Sequence, residues 1–391
     1  MKRVIRLGLV GCGKRGIGVS REFAKLPECR VTAVMDRYES CVERAAEALS
    51  VRESGRFTDF DAMLREAPVD AIFFACSPLE QVELACAAMN RGKHVCTEVP
   101  AAFSVEELCD LIRAQEKTGC KYQLMEQVRY AGFVETWKAM HERGEFGHLC
   151  QVQGEYVHYR RNWGYWTDTH TGEILDDFSP PAGRNVEPTW RYRVLGEPIY
   201  YLPHTMSPLL RILDDRVVKV SCMGTRRGSY TYPDRDLPWT DIQYALMHTA
   251  KDTIMLVGAG FSLPHVSRGP MSSHWYELRG TRASVESPRH PGGKFYMWRM
   301  PPEGYAEKKQ SYEEIDLGVA PLTASAEELK SGHGGLDYVP VKTFVEAVLE
   351  DKTPPVDAYV AADITAPAVV AAASARKGGE LMSVPEFRKG R

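Results

Sequence analysis

Apolar residues come first in short continuous runs and later in alternation, and the change of texture falls near residue 125. The early runs lie at 4–10, 31–35, 69–76, 93–97 and 120–125. Between them, residues 17–26, 40–49, 59–66, 80–91 and 105–118 carry apolar positions at helical spacing. Strands that are apolar on both faces, alternating with helices, predict a parallel sheet covered on both sides. Ligand is expected at the carboxyl ends of such strands. After a helix predicted over 131–143, period-two patterning takes over at 149–159, 217–224, 240–249, 252–262, 273–279 and 282–287. That pattern predicts an antiparallel sheet with one apolar face. A helix over 204–213 interrupts the series, and two more, over 335–350 and 359–376, close the chain. The expected fold is α/β: a Rossmann doubly wound parallel sheet over 1–125, then an α+β domain over 126–391 with an open, mainly antiparallel sheet. The terminal helices of the second domain are expected to pack back on the first. Segment 160–198 is read as long and irregular, rich in aromatics and arginine; such loops are uncommon unless functional.

The first apolar run leads straight into Gly11-x-Gly13-x-x-Gly16, and Asp36 ends the second run twenty positions beyond the last glycine. In this strand–turn–helix context the first glycine permits the tight turn and the second lets the backbone approach a pyrophosphate. The third allows close helix–strand packing, and the helix N-terminus offers free N–H groups to the negative charge. The spacing therefore predicts a dinucleotide site, with Lys14 and Arg15 inside its turn. Asp36 is expected to accept the adenosine ribose hydroxyls and to repel a 2′-phosphate, which favours NAD. Arg37 softens that preference, because an arginine there accommodates NADP. Ser77 and Pro78, after the third apolar run, complete the expected cofactor edge.

Composition narrows the class without naming a chemistry. The apolar content is 44% and the net charge −3, with both signs mixed along the chain. Neither nucleic acid nor an anionic membrane is expected as a partner. The ten cysteines form no C-x-x-C pair, and Cys12, Cys76, Cys86 and Cys96 fall in apolar runs, the usage of reduced thiols in a cytoplasm. The opening MKRVIRLGLVGCG superficially resembles a signal peptide, but its short run enters the glycine turn and reads as the first strand. No run reads as long enough to span a bilayer. His158, His170, His248, His265, His274 and His290 show no metal-ligand spacing, so no metal site is expected.

The segments HVCTEVP at 94–100, LMEQVRY at 124–130 and GHGGLDYVPVKTFVEAV at 332–348 make the whole chain resemble the Gfo/Idh/MocA oxidoreductases. In that family the first of these typically reads Glu-Lys-Pro, and its lysine commonly helps deprotonate the hydroxyl being oxidised. Here Val99 stands in its place and exchanges no proton. The family's Pro-Asn-x-x-His is also absent, since Leu79 and Val82 follow Ser77-Pro78.

Within the family, the chain is most similar to the NAD-dependent glycosidases of glycoside hydrolase family 109. It shares Glu98 to Ala102 (EVPAA), Gly332 to Gly335 (GHGG), Tyr201-Leu-Pro-His204 and the Gly-x-Tyr-x-His stretch from Gly154 to His158. Their Tyr-Pro-Thr-His-Gly appears here as Tyr-Leu-Pro-His-Thr, so sugar specificity does not carry over.

This resemblance implies a glycosidase that transiently oxidises C3 of a sugar and removes the C2 proton made acidic by the ketone. It then expels the aglycone, adds water and reduces C3 again. Such chemistry does not use the paired carboxylates of ordinary glycosidases. His204 is the expected base at O3, with a helix-capping or core histidine as the alternative. Tyr156 and Tyr201 are candidates for the C2 and leaving-group protons, with their roles unassigned. Glu98 is expected on the nicotinamide ribose or, alternatively, as a helix cap, and Gln127 stands where the family often has an asparagine reaching the cofactor. His333, Arg191, Trp163 and Trp166 are candidate substrate residues. The glycines around His333 could simply turn the chain, and the tryptophans could be buried under the loop instead of stacking on a sugar. Two rival readings stay open: an NAD(P)-dependent sugar or cyclitol dehydrogenase, and a non-catalytic sensor. Because relatives bury the open sheet face by self-association, a homodimer or homotetramer is also implied.

Overall fold

The first apolar run becomes β1 (Ile5–Val10), where Ile5, Leu7 and Leu9 lose all solvent contact. In the computed structural model, residues 4–159, 164–176, 179–194, 196–231, 239–263, 274–290, 292–300, 311–322, 325–326 and 328–388 are described. After β1 come α1 (Lys14–Lys25), β2 (Cys29–Met35), α2 (Glu39–Leu49), β3 (Arg56–Phe57), α3 (Phe60–Glu66) and β4 (Ala71–Phe74). The first domain continues with α4 (Gln81–Asn90), β5 (His94–Thr97), α5 (Val105–Thr118) and β6 (Tyr122–Leu124). All six strands are parallel, in the order β3-β2-β1-β4-β5-β6, so the order reverses beside β1. That reversal opens the crevice in which doubly wound sheets take their ligands.

The second domain begins with α6 (Gly132–Glu142) and β7 (Leu149–Val157). Segment 160–198, expected to be irregular, contains a small sheet of β8 (Trp166–Asp168), β9 (Ile174–Leu175) and β10 (Val186–Pro188), and then α7 (Trp190–Val194). Its strands have two or three residues each, too few to show a period in sequence. Next come α8 (Pro203–Leu213), β11 (Val217–Gly224), β12 (Ile242–Thr249), β13 (Ile254–Gly260), β14 (His274–Gly280) and β15 (Ala283–Glu286). Two strands that the pattern reading missed, β16 (Phe295–Arg299) and β17 (Ser311–Ile315), extend the sheet at one edge. The chain closes with α9 (Tyr338–Leu349), α10 (Ala358–Arg376) and β18 (Met382–Ser383). The nine strands run β17-β16-β15-β14-β7-β13-β12-β11-β18, antiparallel except where β7 meets β13. Helices α6, α8 and α10 cover one face.

The last third of the chain also completes the first domain. Val341, Phe344, Val345 and Val348 of α9 are buried with β1 and α1, and the Phe344 ring meets Phe23 edge-on at 6.2 Å between centroids. One expectation needs correcting: α10 is long and apolar enough to cross a membrane, although no run was read that way. An 18-residue stretch of it has a mean hydropathy of 1.4, but 72% of that stretch is buried inside the protein. Its alanine-rich surface packs against α5, α8 and β11, which is the reason for its apolar composition.

Candidate functional site

The glycine turn between β1 and α1 has the shape its spacing predicts. Gly11 has φ +94°, and a Cβ there would lie 2.5 Å from the Ala75 and Cys76 backbone. A Cβ on Gly16 would strike the Gly11 carbonyl at 2.1 Å, whereas one on Gly13 would project into open space, the side left free for a ligand. Lys14 is exposed at the first position of α1, and Arg15 follows it. The Asp36 carboxylate accepts the N–H groups of Cys12 at 2.8 Å and Tyr38 at 3.2 Å, so it lies against the turn. Arg37 is exposed and paired with Glu187. Ser77 and half-buried Cys76 follow β4, with Pro78 buried behind them.

Arg15 does not stand alone in this cradle. Its Nε donates to Glu98 at 2.7 Å, and its Nη1 to Asp337 at 2.8 Å. Burial works against its charge, yet the two carboxylates hold the guanidinium firmly protonated, above its ordinary value. Asp337 in turn meets His333 Nδ1 at 3.0 Å. Glu98 is therefore not the cap of α5; Ser104 and Glu107 cap that helix reciprocally. His333 has φ +54° and an exposed ring, and Gly332 makes room for Asp337, whose Oδ2 would lie 2.1 Å from a Cβ there.

For Asp337, burial works to raise the pKa, but the His333 hydrogen bond and the Arg15 charge outweigh it and hold the carboxyl down, to about 2. A carboxylate held below its unfolded value of about 4 contributes stability above that pH and loses it as pH falls toward 2. The contribution is about 2 kcal/mol. Asp337→Asn is expected to remove it. In urea denaturation the variant is then less stable than wild type at pH 6, and the gap closes as pH falls below about 4.

Beyond the cradle, the chain leaving β6 carries Glu126 and Gln127, both buried, with no exposure left at Glu126. Across from them α8 opens with Pro203 and His204. Gly154 on β7 lets this first turn approach closely, since a Cβ there would lie 2.3 Å from Thr205. His204 Nδ1 lies 2.6 Å from Glu126 Oε1, and α8 has no side-chain cap, so the histidine is not a capping residue. With Nδ1 engaged, Nε2 is the nitrogen left for a substrate. Among the described residues the second oxygen of Glu126 has no hydrogen-bond partner, while the buried Arg129 guanidinium interacts with the Glu126 carboxylate electrostatically.

Around His204 the rings close in. Tyr156 is 5.3 Å away, Tyr201 6.0 Å and His274 6.2 Å, measured between centroids. Tyr156 stacks on His274 at 4.3 Å because the two residues face each other across β7 and β14. His158, also on this side, stands edge-on to Tyr156 at 4.5 Å. Tyr276 Oη lies 3.1 Å from His274 Nδ1 and donates to the His204 carbonyl at 3.3 Å. Burial, reinforced by repulsion from His204, His158 and His333, pushes His274 well below the usual histidine range, so it is neutral at physiological pH. Burial likewise pushes the Tyr201 phenol well above its ordinary value, and the nearby Arg191 charge only partly opposes this.

The outer wall is aromatic. Trp190 stacks on Tyr201 at 5.9 Å, and the Arg191 guanidinium lies 5.0 Å from the Trp190 ring centroid. Trp166 is buried among Tyr165, Leu175, Tyr201, Trp239 and Phe261, so it backs this wall. Trp163 and His265 lie outside the described residues. Among the described residues, no three His, Cys, Asp or Glu side chains come together as metal ligands. Glu126, Asp337 and Tyr276 carry no signal of their own in the sequence, although Glu126 adjoins Gln127 in one quoted motif and Asp337 lies in another; His274 was considered there only as a metal ligand.

Two family models divide the chain. Residues 5–126 match the oxidoreductase family, NAD-binding Rossmann fold, and residues 136–391 match the glycosyl hydrolase 109 C-terminal domain. The chain belongs to glycosyl hydrolase family 109. A family 109 protein of Saccharopolyspora erythraea is 26% identical over 99% of this chain and 84% of its own length. One from Bacteroides thetaiotaomicron is 23% identical over 99% and 85%. Among solved structures, an oxidoreductase domain protein of Kribbella flavida superposes with a TM-score of 0.75, at 18% identity over 99% of this chain and all of that one. A scyllo-inositol dehydrogenase of Lactobacillus casei, solved with bound NAD(H) and scyllo-inositol, gives 0.67 at 16% identity over 97% and 99%.

This family 109 member is thus an NAD-dependent glycosidase or a related sugar oxidoreductase, with NAD held by its Rossmann domain. The cradle fits that cofactor: Gly13 leaves open space at the helix N-terminus, and Asp36 lies beside the turn where a ribose is read.

Proposed function

We propose that the protein hydrolyses glycosides by transient oxidation at C3 of the sugar. The observation that carries this reading is the His204–Glu126 pair. A histidine fixed through Nδ1 stands at the domain junction of a chain that has valine where related dehydrogenases use lysine. Held at the turn of Gly11, Gly13 and Gly16 beside Asp36, NAD would supply the reversible two-electron acceptor that oxidation at C3 needs. His204 takes the O3 proton through Nε2 and gives it back when C3 is reduced. The ketone acidifies the C2 proton, and Tyr156, beside His204 and His274, is the candidate to remove it. Tyr201, held neutral by burial, suits donation to the departing aglycone oxygen. The half-buried Trp190 ring gives this wall an apolar edge that a sugar could meet.

The reading is tested with α- and β-linked aryl glycosides and NAD in deuterated water. Aglycone release with deuterium at C2 of the freed sugar and no build-up of NADH is the expected result. NADH accumulating without release would make the protein a sugar or cyclitol dehydrogenase; binding of NAD with neither signal across the panel would favour a sensor.

The same reading includes self-association. Met223, Leu246 and Ile254 are exposed on strands β11, β12 and β13, and a homodimer or homotetramer would cover them. Ten unpaired cysteines suit a cytoplasmic, reducing compartment.

A further inference from the structure

The small sheet β8–β10 belongs to the second domain, yet it reaches back over the end of β2. Ser40 donates to the Thr171 carbonyl, and the Cys41 thiol lies 3.7 Å from the carbonyls of both Thr171 and Gly172. Gly172, at φ +66°, presses on Tyr38 so closely that a Cβ would lie 2.4 Å from the ring. On β10, Glu187 Oε1 accepts from Arg37 Nη2 at 3.1 Å and from the Tyr38 hydroxyl at 3.5 Å. The Arg37 guanidinium also lies 5.2 Å from the Tyr38 ring centroid. These contacts surround the two residues that follow Asp36, the acid placed to read the adenosine ribose.

We propose that Glu187 is a specificity-determining residue of the dinucleotide site, supplied by the second domain, and that it selects NAD over NADP. Asp36 followed by Arg37 is ambiguous by itself: the carboxylate repels a 2′-phosphate, whereas the guanidinium attracts one. Glu187 resolves the ambiguity by engaging the guanidinium. A 2′-phosphate must then displace Glu187 from Arg37 and lie near two carboxylates instead of one. NAD, with neutral ribose hydroxyls, meets no such opposition. The ion pair is partly exposed and therefore screened, so the discrimination from Glu187 is about tenfold and superimposed on that of Asp36.

This inference rests on the dinucleotide reading of the Rossmann domain. The test measures dissociation constants of NAD and NADP by calorimetry at low salt, on the full chain stripped of nucleotide. Glu187→Gln and Glu187→Ala are expected to lower the ratio of the NADP constant to the NAD constant about tenfold. The change should come from tighter NADP binding, with NAD little affected. In an Arg37→Ala background the same Glu187 substitutions should change the ratio less, because no guanidinium remains to be released and only the direct repulsion by the Glu187 carboxylate is lost. An unchanged ratio in both single variants, with NAD still bound at wild-type affinity, would overturn the role of Glu187 alone. A wild-type chain that binds neither nucleotide would overturn the dinucleotide reading and this inference with it, a result distinct from the first.

Discussion

His204→Ala is expected to lower glycoside turnover about a thousandfold while leaving NAD affinity unchanged. The imidazole is half of a pair built across the domain junction, and Nε2 has no substitute among its immediate neighbours. His274, 6.2 Å away, is made a weak base by burial and is engaged with Tyr276, and Tyr201 keeps its proton at working pH. The cofactor cradle, in contrast, is made of β1, α1 and the end of β2, which do not depend on α8. Calorimetric NAD binding and aryl glycoside turnover on the same sample separate the two effects. Retained activity in His204→Ala would remove the histidine from the chemistry and reopen the search for the O3 base.

The second large effect is expected at Glu126. Glu126→Gln should reduce kcat about a hundredfold with little change in KM, because a neutral amide orients Nδ1 less firmly and no longer stabilises the imidazolium formed as O3 is deprotonated. Glu126 touches no substrate in this account; it is a positioning residue. Glu126→Asp should recover part of the loss, since a carboxylate remains within reach of a small adjustment. Glu126→Ala should also destabilise the fold, because it removes one of the two carboxylates, Glu126 and Glu135, whose charge supports the buried Arg129 guanidinium. A merely structural Glu126 would instead show equal losses in Gln and Asp variants that follow their melting temperatures. Steady-state kinetics and thermal unfolding of the three variants distinguish these outcomes.

The cofactor turn was legible because all its parts are local. Gly11, Gly13 and Gly16 do work that depends on backbone conformation and on neighbours a few residues away, and the strand before and helix after are read from period alone. Asp36 was reachable too, because one strand spans the distance from turn to acid. The proposed catalytic centre is different. Tyr156 and His274 are 118 positions apart and stack only because β7 and β14 pair in one register. His204 meets Glu126 only because Gly154 lets α8 lie close to β7, and no periodicity encodes that approach. His274 enters the sequence reading only as a histidine without metal spacing, and its stacking on Tyr156 comes from a strand pairing that no spacing rule suggests.

The aromatic segment shows the same division. Its tryptophans and arginines marked 160–198 as functional, but strands of two or three residues carry no readable alternation, and nothing in sequence told which end of the cofactor it would reach. What the sequence determined by itself was the order of the longer elements of the first domain, the glycine turn, the family and the absence of the usual lysine at Val99. Those properties depend on residue type and on short separations along the chain. Tertiary structure alone decided that Glu126 holds His204, that Asp337 and Glu98 share Arg15, and that Glu187 crosses to Arg37. Each of these contacts joins segments far apart in the chain, and the energy that brings them together comes from packing two domains whose buried faces are anonymous until they meet.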